Sequence, residues 1–350
     1  MKSVAYSNYI QISGPLFENV QQSQIFSDGK TFVDAIPKVD PKVILKKYEI
    51  EKGDANFDLK TFVYRYFEIF EEETHKPPAT KELKAYLIAM WDVLCKKLED
   101  PSPHSTLISL PNPHIVPGGR FRECFYWDSY YSALGLAVEG QVSRIQAMAD
   151  NFSFLIKKFG FIPNGNRVYF TTRSQPPHFS LLLKLLFDYG EKKSALSYFP
   201  ELEKEYLFWT KGSETLKFKK QAYNHVVMAK NDTILGRYWD SENTPRPEAF
   251  KREVELKKGA NHPEFYRSLR AACASGWDFS SRWLEDKKNF HTIWILDLLP
   301  VDLNSLLCHL ETTLAEFANL RGDKEKAACY QDAAEKRKKA ISTLFWNEKE

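Results

Sequence analysis

The chain has 350 residues, enough for one large core or two smaller ones, and its 49 basic and 46 acidic side chains nearly cancel to a net charge of +3. With no long run of lysine or arginine, that balance argues against nucleic acid or an anionic membrane as the main partner and points to a neutral ligand. The aromatic fraction of 14%, with 17 Tyr, 25 Phe and 8 Trp, supplies core and also rings able to stack on the apolar faces of a sugar.

Residues 1–75 are weakly periodic and predict an N-terminal flanking segment, extended or partly helical, packed on a body that runs over 76–350. The opening MKSVAYSNYIQISGPLF lacks the apolar run of a signal peptide, and no stretch approaches the ~18 consecutive apolar residues of a membrane-spanning helix. Five cysteines (95, 124, 273, 308, 329) are odd in number, scattered and without a CxxC, so they read as reduced structural thiols. The expectation is a cytoplasmic protein, or a periplasmic or secreted one if a leader has been removed.

From Thr80 to Lys97 the residues Leu83, Tyr86, Leu87, Met90, Trp91 and Leu94 fall on one helical stripe, stopped by Asp100-Pro101. Ile145, Met148, Phe152, Leu155, Ile156 and Phe159 repeat the pattern, ended by Gly160. Further stripes cover 179–189, 193–210, 303–320 and 324–346, whereas alternating strand patterns are few. Four long loops rich in Gly, Pro, Asn, Arg and Trp separate these helices: PNPHIVPGGRFRE, GFIPNGNRVYFTTRSQPP, RYWDSENTPRPEAF and SGWDFSSRW. Loops of that length carrying that chemistry are expected to converge on one ligand site. Repeated helix pairs with functional loops at one end predict an all-α fold, an (α/α)6 toroid or barrel. About eight helices are legible where six pairs need about twelve, so the ring is expected to be incomplete and to continue beyond Glu350.

The stretch PGGRFRECFYWDSYY (117–131) opens on a Pro-Gly-Gly turn and then interleaves Arg120, Glu123 and Asp128 with Phe121, Tyr126 and Trp127. One reading is a loop entering an amphipathic helix with its charges paired. The other is sugar recognition, which needs rings for C–H faces and planar charged groups for bidentate bonds to hydroxyls. In SGWDFSSRW, Asp278 stands between Trp277 and Phe279. On its own it reads as a helix N-cap ahead of FSSRW; in a binding site it is a carboxyl that apolar surroundings keep protonated.

The first of these stretches resembles the signature of the trehalases, PGGRFxExYxWDxY, with Phe125 in place of Tyr at one fixed position. GPLFENVQ, KTFVDAIPK, GFIPNGNR, RSQPP, RYWD, TPRPE, SGWDFSSRW and PVDLNSLL are similar to trehalase segments in the same order, so the resemblance covers 13–346. It implies hydrolysis of α,α-trehalose to two glucoses by an inverting, cofactor-free enzyme that works as a monomer on a small neutral sugar. It implies substrate-binding roles for Arg120, Phe121, Trp127, Asp128, Asn164, Arg173, Arg246, Glu248 and Gly276, and makes Asp278 the general acid. Ala249 stands where relatives often have serine. Asp128, Glu123, Asp240 and Glu248 are the other carboxylates available for a second catalytic role. None matches the family's base, and a QWDYPNGW-like stretch is absent, so the base is expected beyond residue 350. The competing readings are a truncated paralogue that binds a disaccharide without turnover, and a toroidal glycosidase for a different glucoside.

Other chemistries fit poorly. Eight dispersed histidines form no HExxH, no GxSxG elbow is present, and neither PGGR nor PNGNR has phosphate-loop spacing. No metal is expected, and His178 and His225 read as core or surface residues. Arg282 would hold Asp278 ionised if it pointed inward, so it is expected to pair elsewhere.

Overall fold

The computed structural model describes residues 8–70, 79–80, 82–97, 102–216, 221–230 and 233–349. The stripe beginning at Ile145 becomes the helix Val142–Phe159, with Ile145, Met148, Phe152, Leu155 and Ile156 buried. Gly160 ends it at φ 84°, a left-handed cap that glycine adopts without a Cβ penalty, and its N–H bonds the Ile156 carbonyl at 2.8 Å. The stripe at 179–189 becomes Phe179–Asp188. The run at 193–210 divides into Lys192–Ser197 and Phe199–Thr210, because Pro200 has no N–H to continue a helix and is accepted only in a first turn. The last two stripes form the longest helices, Val301–Leu320 and Lys324–Leu344, joined by a short turn through Gly322 at φ 85°. Arg337 clamps the two together, donating to both carboxylate oxygens of Glu311 at 2.9 and 2.8 Å.

The helix Tyr126–Val138 packs on Val142–Phe159 and Phe179–Asp188, and Phe179–Asp188 and Phe199–Thr210 both reach Val301–Leu320. Helices thus pack pairwise around one core, as the all-α toroid reading requires, and strands are confined to two antiparallel pairs and one three-stranded ribbon among the described residues.

The stripe at Thr80–Lys97 behaves differently. Its helix is Leu83–Val93, and none of its residues is buried. Trp91 packs so closely on the Tyr126–Val138 helix that a Cβ on Gly135 would lie 2.7 Å from the indole. Leu83 and Leu87, in contrast, face outward at 71% and 53% exposure, because nothing among the described residues covers them. The expected stop at Asp100-Pro101 lies outside the described residues, as does the 75/76 division between flank and body.

The N-terminal segment is mostly helical, with Pro15–Ser23, Gly29–Val33, Pro41–Glu51 and Leu59–Tyr66. Asp28, Asp40 and Asp58 cap three of these, each side chain accepting from a first-turn N–H. Leu16, Phe17, Phe32 and Phe62 join the same buried cluster as Phe152, Phe179 and Leu310. A buried ion group fastens the segment to the loops. Glu123, fully buried, accepts from Lys30 Nζ at 2.9 Å and Arg167 Nε at 2.8 Å, while Asp34 pairs with Lys30 and accepts from the Tyr169 hydroxyl at 2.7 Å. Partial neutralisation of each charge by two partners is what makes such burial tolerable.

Candidate active site

The four long loops and the N-terminal segment enclose one cavity of about 680 Å³, within the range of small-molecule sites. Gly118 and Gly119, at φ 101° and 58°, close a tight turn in which Gly118 and Phe121 exchange backbone hydrogen bonds at 3.2 and 3.1 Å. The two glycines do not line the cavity; they present Pro117, Arg120 and Phe121, which do. Arg120 lies over the Phe121 ring and pairs with Asp28. Phe121 in turn sets its edge on Phe125, whose ring keeps the wall apolar where the trehalase signature has a hydroxyl. Trp127 and Asp128 enter from the first turn of the Tyr126–Val138 helix, and the Trp127 N–H is held by Gln175 Oε1 at 3.1 Å.

Two arginines that line the cavity are fixed by protein groups rather than by solvent. Arg173, 1% exposed, donates from Nε to Asn164 Oδ1 at 2.9 Å and faces Asp240 at 3.4 Å and Glu248 at 3.5 Å. Arg246 donates to Glu253 at 2.5 Å, stacks over Phe279 at 5.2 Å and lies 3.6 Å from Glu248. Glu248 Oε1 is shared by both guanidiniums, while its buried Oε2 has no hydrogen-bond partner among the described residues. A buried acceptor left unmet costs on the order of 1–3 kcal/mol.

Asp278 opens onto this cavity from a left-handed backbone conformation, φ 41°, which Asp tolerates better than most residues. It caps no helix; the short turn Ser281–Trp283 is capped by Ser280 instead. Desolvation raises its pKa, and the nearby Arg246 and Arg173 guanidiniums oppose the rise without cancelling it. Asp128 is also raised, first by desolvation and further by the charge of Asp278. Both carboxyls line the cavity, and both favour the neutral form more than an exposed carboxyl does.

All ten residues singled out in the sequence line this cavity: Arg120, Phe121, Trp127, Asp128, Asn164, Arg173, Arg246, Glu248, Gly276 and Asp278. Two expectations change. Trp277 does not line the cavity: its indole N–H donates to Asp302 Oδ2 at 3.1 Å, and its face carries the Arg282 guanidinium 3.8 Å from the ring centre. Of the two rings that flank Asp278 in sequence, only Phe279 therefore lines the cavity with it. Arg282, by the same stacking, is kept away from the acid, as its expected pairing elsewhere requires. The carboxylates available for a second role also narrow. Glu123 is buried in the Lys30–Arg167 ion group, and Asp240 is fully buried against Thr172, Arg173 and Arg270. Neither lines the cavity.

The sequence reading missed the wall supplied by the N-terminal segment, where Gln21, Gln24, Phe26, Asp28 and Lys30 reach the cavity. Its signal was present in GPLFENVQ and KTFVDAIPK, which carry trehalase-like patterning in a stretch otherwise too weakly periodic to place.

Gly276 has a steric task. At φ 73°, a Cβ there would meet Trp127 Cε2 at 2.9 Å. Gly276→Ala is expected to displace the Trp127 ring and to cost about 1–2 kcal/mol from the left-handed backbone alone. A lowered midpoint of thermal unfolding together with weaker sugar binding would bear this out; an unchanged affinity would count against it.

The trehalase family model matches residues 24–350, so the chain belongs to the trehalase family. It is 43% identical over 341 residues to the periplasmic trehalases of Salmonella dublin and Salmonella typhimurium strain LT2, covering 96% of this chain and 60% of each relative. The chain thus spans about 60% of the length of the curated relatives it matches. Among solved structures it is similar to neutral trehalase from Saccharomyces cerevisiae, with a TM-score of 0.52 and 25% identity over 72% of this chain and 49% of that one. The expectation of a cytoplasmic protein is overturned by these relatives, which are named as periplasmic. It rested partly on the cysteines. None of the five is paired, and Cys124 and Cys273 are buried, so thiols kept apart by the fold carry no information about compartment.

Proposed function

We propose that this chain forms the sugar-holding and proton-donating part of an α,α-trehalase, which hydrolyses α,α-trehalose to two glucose molecules with inversion. The observation that carries the reading is the convergence of all ten signature-derived residues on one cavity, with a raised-pKa carboxyl among fixed arginines and rings.

Asp278 is the general acid. A glycosidic oxygen leaves only if it is protonated as the bond breaks, and a carboxyl desolvated by the cavity keeps its proton to a higher pH than an exposed one. Arg173 and Arg246, locked by Asn164, Asp240, Glu253 and Glu248, present planar donors to sugar hydroxyls without paying side-chain entropy at binding. Asp128, Asn164 and Glu248 accept from hydroxyls, and Trp127, Phe121 and Gly276 shape the apolar faces, with Arg120 beside them. Inversion needs a second carboxylate ~6.5–9.5 Å away with a water between. Asp128 and Glu248 hold hydroxyls in this reading, so the base is to be sought in the part of the relatives' length that this chain does not span.

The flank over 1–75 and the toroidal body over 76–350 act as one unit in this reading, because both line the cavity. The protein acts as a monomer in this reading, and light scattering reads this directly. A periplasmic location follows from the relatives and would be checked by osmotic-shock fractionation of the source cells.

Calorimetry is expected to show trehalose binding in preference to maltose and sucrose, with glucose release by the active enzyme. Binding without release, even in a chain of the relatives' full length, would favour the non-catalytic reading. A preference for maltose or sucrose would favour a glycosidase for another glucoside.

A further inference from the structure

The carboxylate that meets Arg120 comes from the N-terminal segment. Asp28 stands at the head of the Gly29–Val33 helix, 92 positions from Arg120, and both residues line the cavity. Its Oδ1 accepts from the Lys30 N–H at 2.6 Å, and its Oδ2 accepts from Arg120 Nη1. The turn that carries this carboxylate is tightly seated. A Cβ on Gly29 would lie 2.7 Å from the Glu248 carbonyl oxygen and 2.9 Å from Gln21 Oε1, and Gln21 Nε2 donates to the Gly29 carbonyl at 2.9 Å. Two residues after Asp28, Lys30 bonds the buried Glu123 at 2.9 Å. The same two segments are thus joined twice with the charges crossed, Asp28 to Arg120 and Lys30 to Glu123. A slip of one segment along the other would set acid against acid and base against base, so the crossed pairs fix their register.

We propose that Asp28 is a positioning residue for Arg120: anchored by its own helix cap, it holds the guanidinium over the Phe121 ring, 5.3 Å from the ring centre, and so keeps it at the cavity wall. The inference rests on the reading of Arg120 as a sugar-holding residue. Arg120 needs such a partner more than the other two sugar-facing arginines do. Arg173 and Arg246, at 1% and 12% side-chain exposure, are walled in by the fold, whereas 49% of the Arg120 side chain is exposed. A long exposed side chain loses rotamer freedom when it closes on a ligand, and a partner that holds it beforehand removes that loss from binding. The N-terminal segment therefore acts on the sugar through Arg120 as well as by lining the wall.

The test is trehalose binding by calorimetry, with thermal unfolding of the same proteins. Asn caps a helix about as well as Asp but carries no charge, so Asp28→Asn separates the ion pair from the cap. It is expected to weaken trehalose binding about 2–5-fold, the span of a part-exposed ion pair, with little shift of the unfolding midpoint. Arg120→Ala is expected to weaken binding at least as much. In the Arg120→Ala background Asp28→Asn is expected to add nothing, because Asp28 acts only through that guanidinium. Wild-type affinity in Asp28→Asn overturns the proposal. So does a loss of the same size in both backgrounds, which would make Asp28 a sugar contact or a purely structural residue. If the asparagine variant also unfolds earlier, the paired backgrounds still decide, since a structural loss persists in both. Failure of the underlying reading would appear separately: Arg120→Ala with wild-type affinity removes Arg120 from the sugar site, and this inference with it.

Discussion

Asp278→Asn is expected to lower glucose release from trehalose by on the order of 10²–10⁴-fold in the active enzyme, while trehalose binding stays within a few-fold of wild type. Asn keeps the shape and the hydrogen-bonding reach of the carboxyl but has no proton to give, so the loss falls on the bond-breaking step. The residual activity reflects what the arginines and rings contribute by orientation alone. The pH dependence follows from the same group. An acid catalyst must be protonated, and the Asp278 pKa is raised by desolvation, so the basic limb of the rate profile lies above the usual carboxylate range and activity falls as pH rises through it. Steady-state rates and calorimetry on the same variant separate the two effects. Full turnover in Asp278→Asn would remove the acid assignment, and lost binding would make Asp278 a hydroxyl-holding residue instead.

The second large effect is on stability and sits away from the site. Glu205 is fully buried, accepts a hydrogen bond from the Tyr126 hydroxyl, and has no partner for its second oxygen among the described residues. Burial pushes its pKa up to about 8 from 4.5. The unfolded chain ionises this group from its ordinary value upward while the fold holds it neutral. The stability it permits is therefore full below about pH 4.5 and is lost as pH rises to about 8. At about 1.4 kcal/mol per pH unit, neutral pH already costs a few kcal/mol. Glu205→Gln is expected to recover that amount at pH 8 and almost nothing at pH 4.5, read from denaturant melts at the two values. A pH-independent effect of the variant would show that Glu205 is not held neutral.

His225 and His114 set the opposite edge. His225 is buried against Phe208 and Trp209, and desolvation lowers its pKa to about 3; His114, also buried, is lowered to about 4. The unfolded chain protonates both below about 6.5, so their contribution is lost as pH falls from there. Stability is squeezed from both sides.

Periodicity and breakers carried much of the helical framework in the sequence. The stripe from Ile145 to Phe159 with Gly160 behind it specifies both a face and an end, and Val142–Phe159 ends there. Where the sequence read one helix at 193–210, Pro200 was the visible reason for two. The exposure of Leu83 and Leu87 was not legible, because a stripe states that a face is apolar and not whether anything covers it.

The site residues were legible through their motif order, which named the ten residues that the fold brings to one cavity. Tertiary structure alone decided which charges face that cavity. Glu123 stands inside the strongest motif of the chain, yet Lys30, 93 positions away in sequence, draws it into a buried ion group. Asp240 is likewise taken by Arg173 and Arg270. Trp277 and Phe279 flank Asp278 symmetrically in the sequence, but a left-handed turn at Gly276 and Asp278 sends the first outward onto Arg282 and leaves the second under Arg246. The sequence by itself determined the kinds of side chain and the loops that carry them, since those depend on local composition and spacing. Partners, burial and the resulting proton affinities depend on groups that meet only after long-range folding, and these the tertiary structure decided.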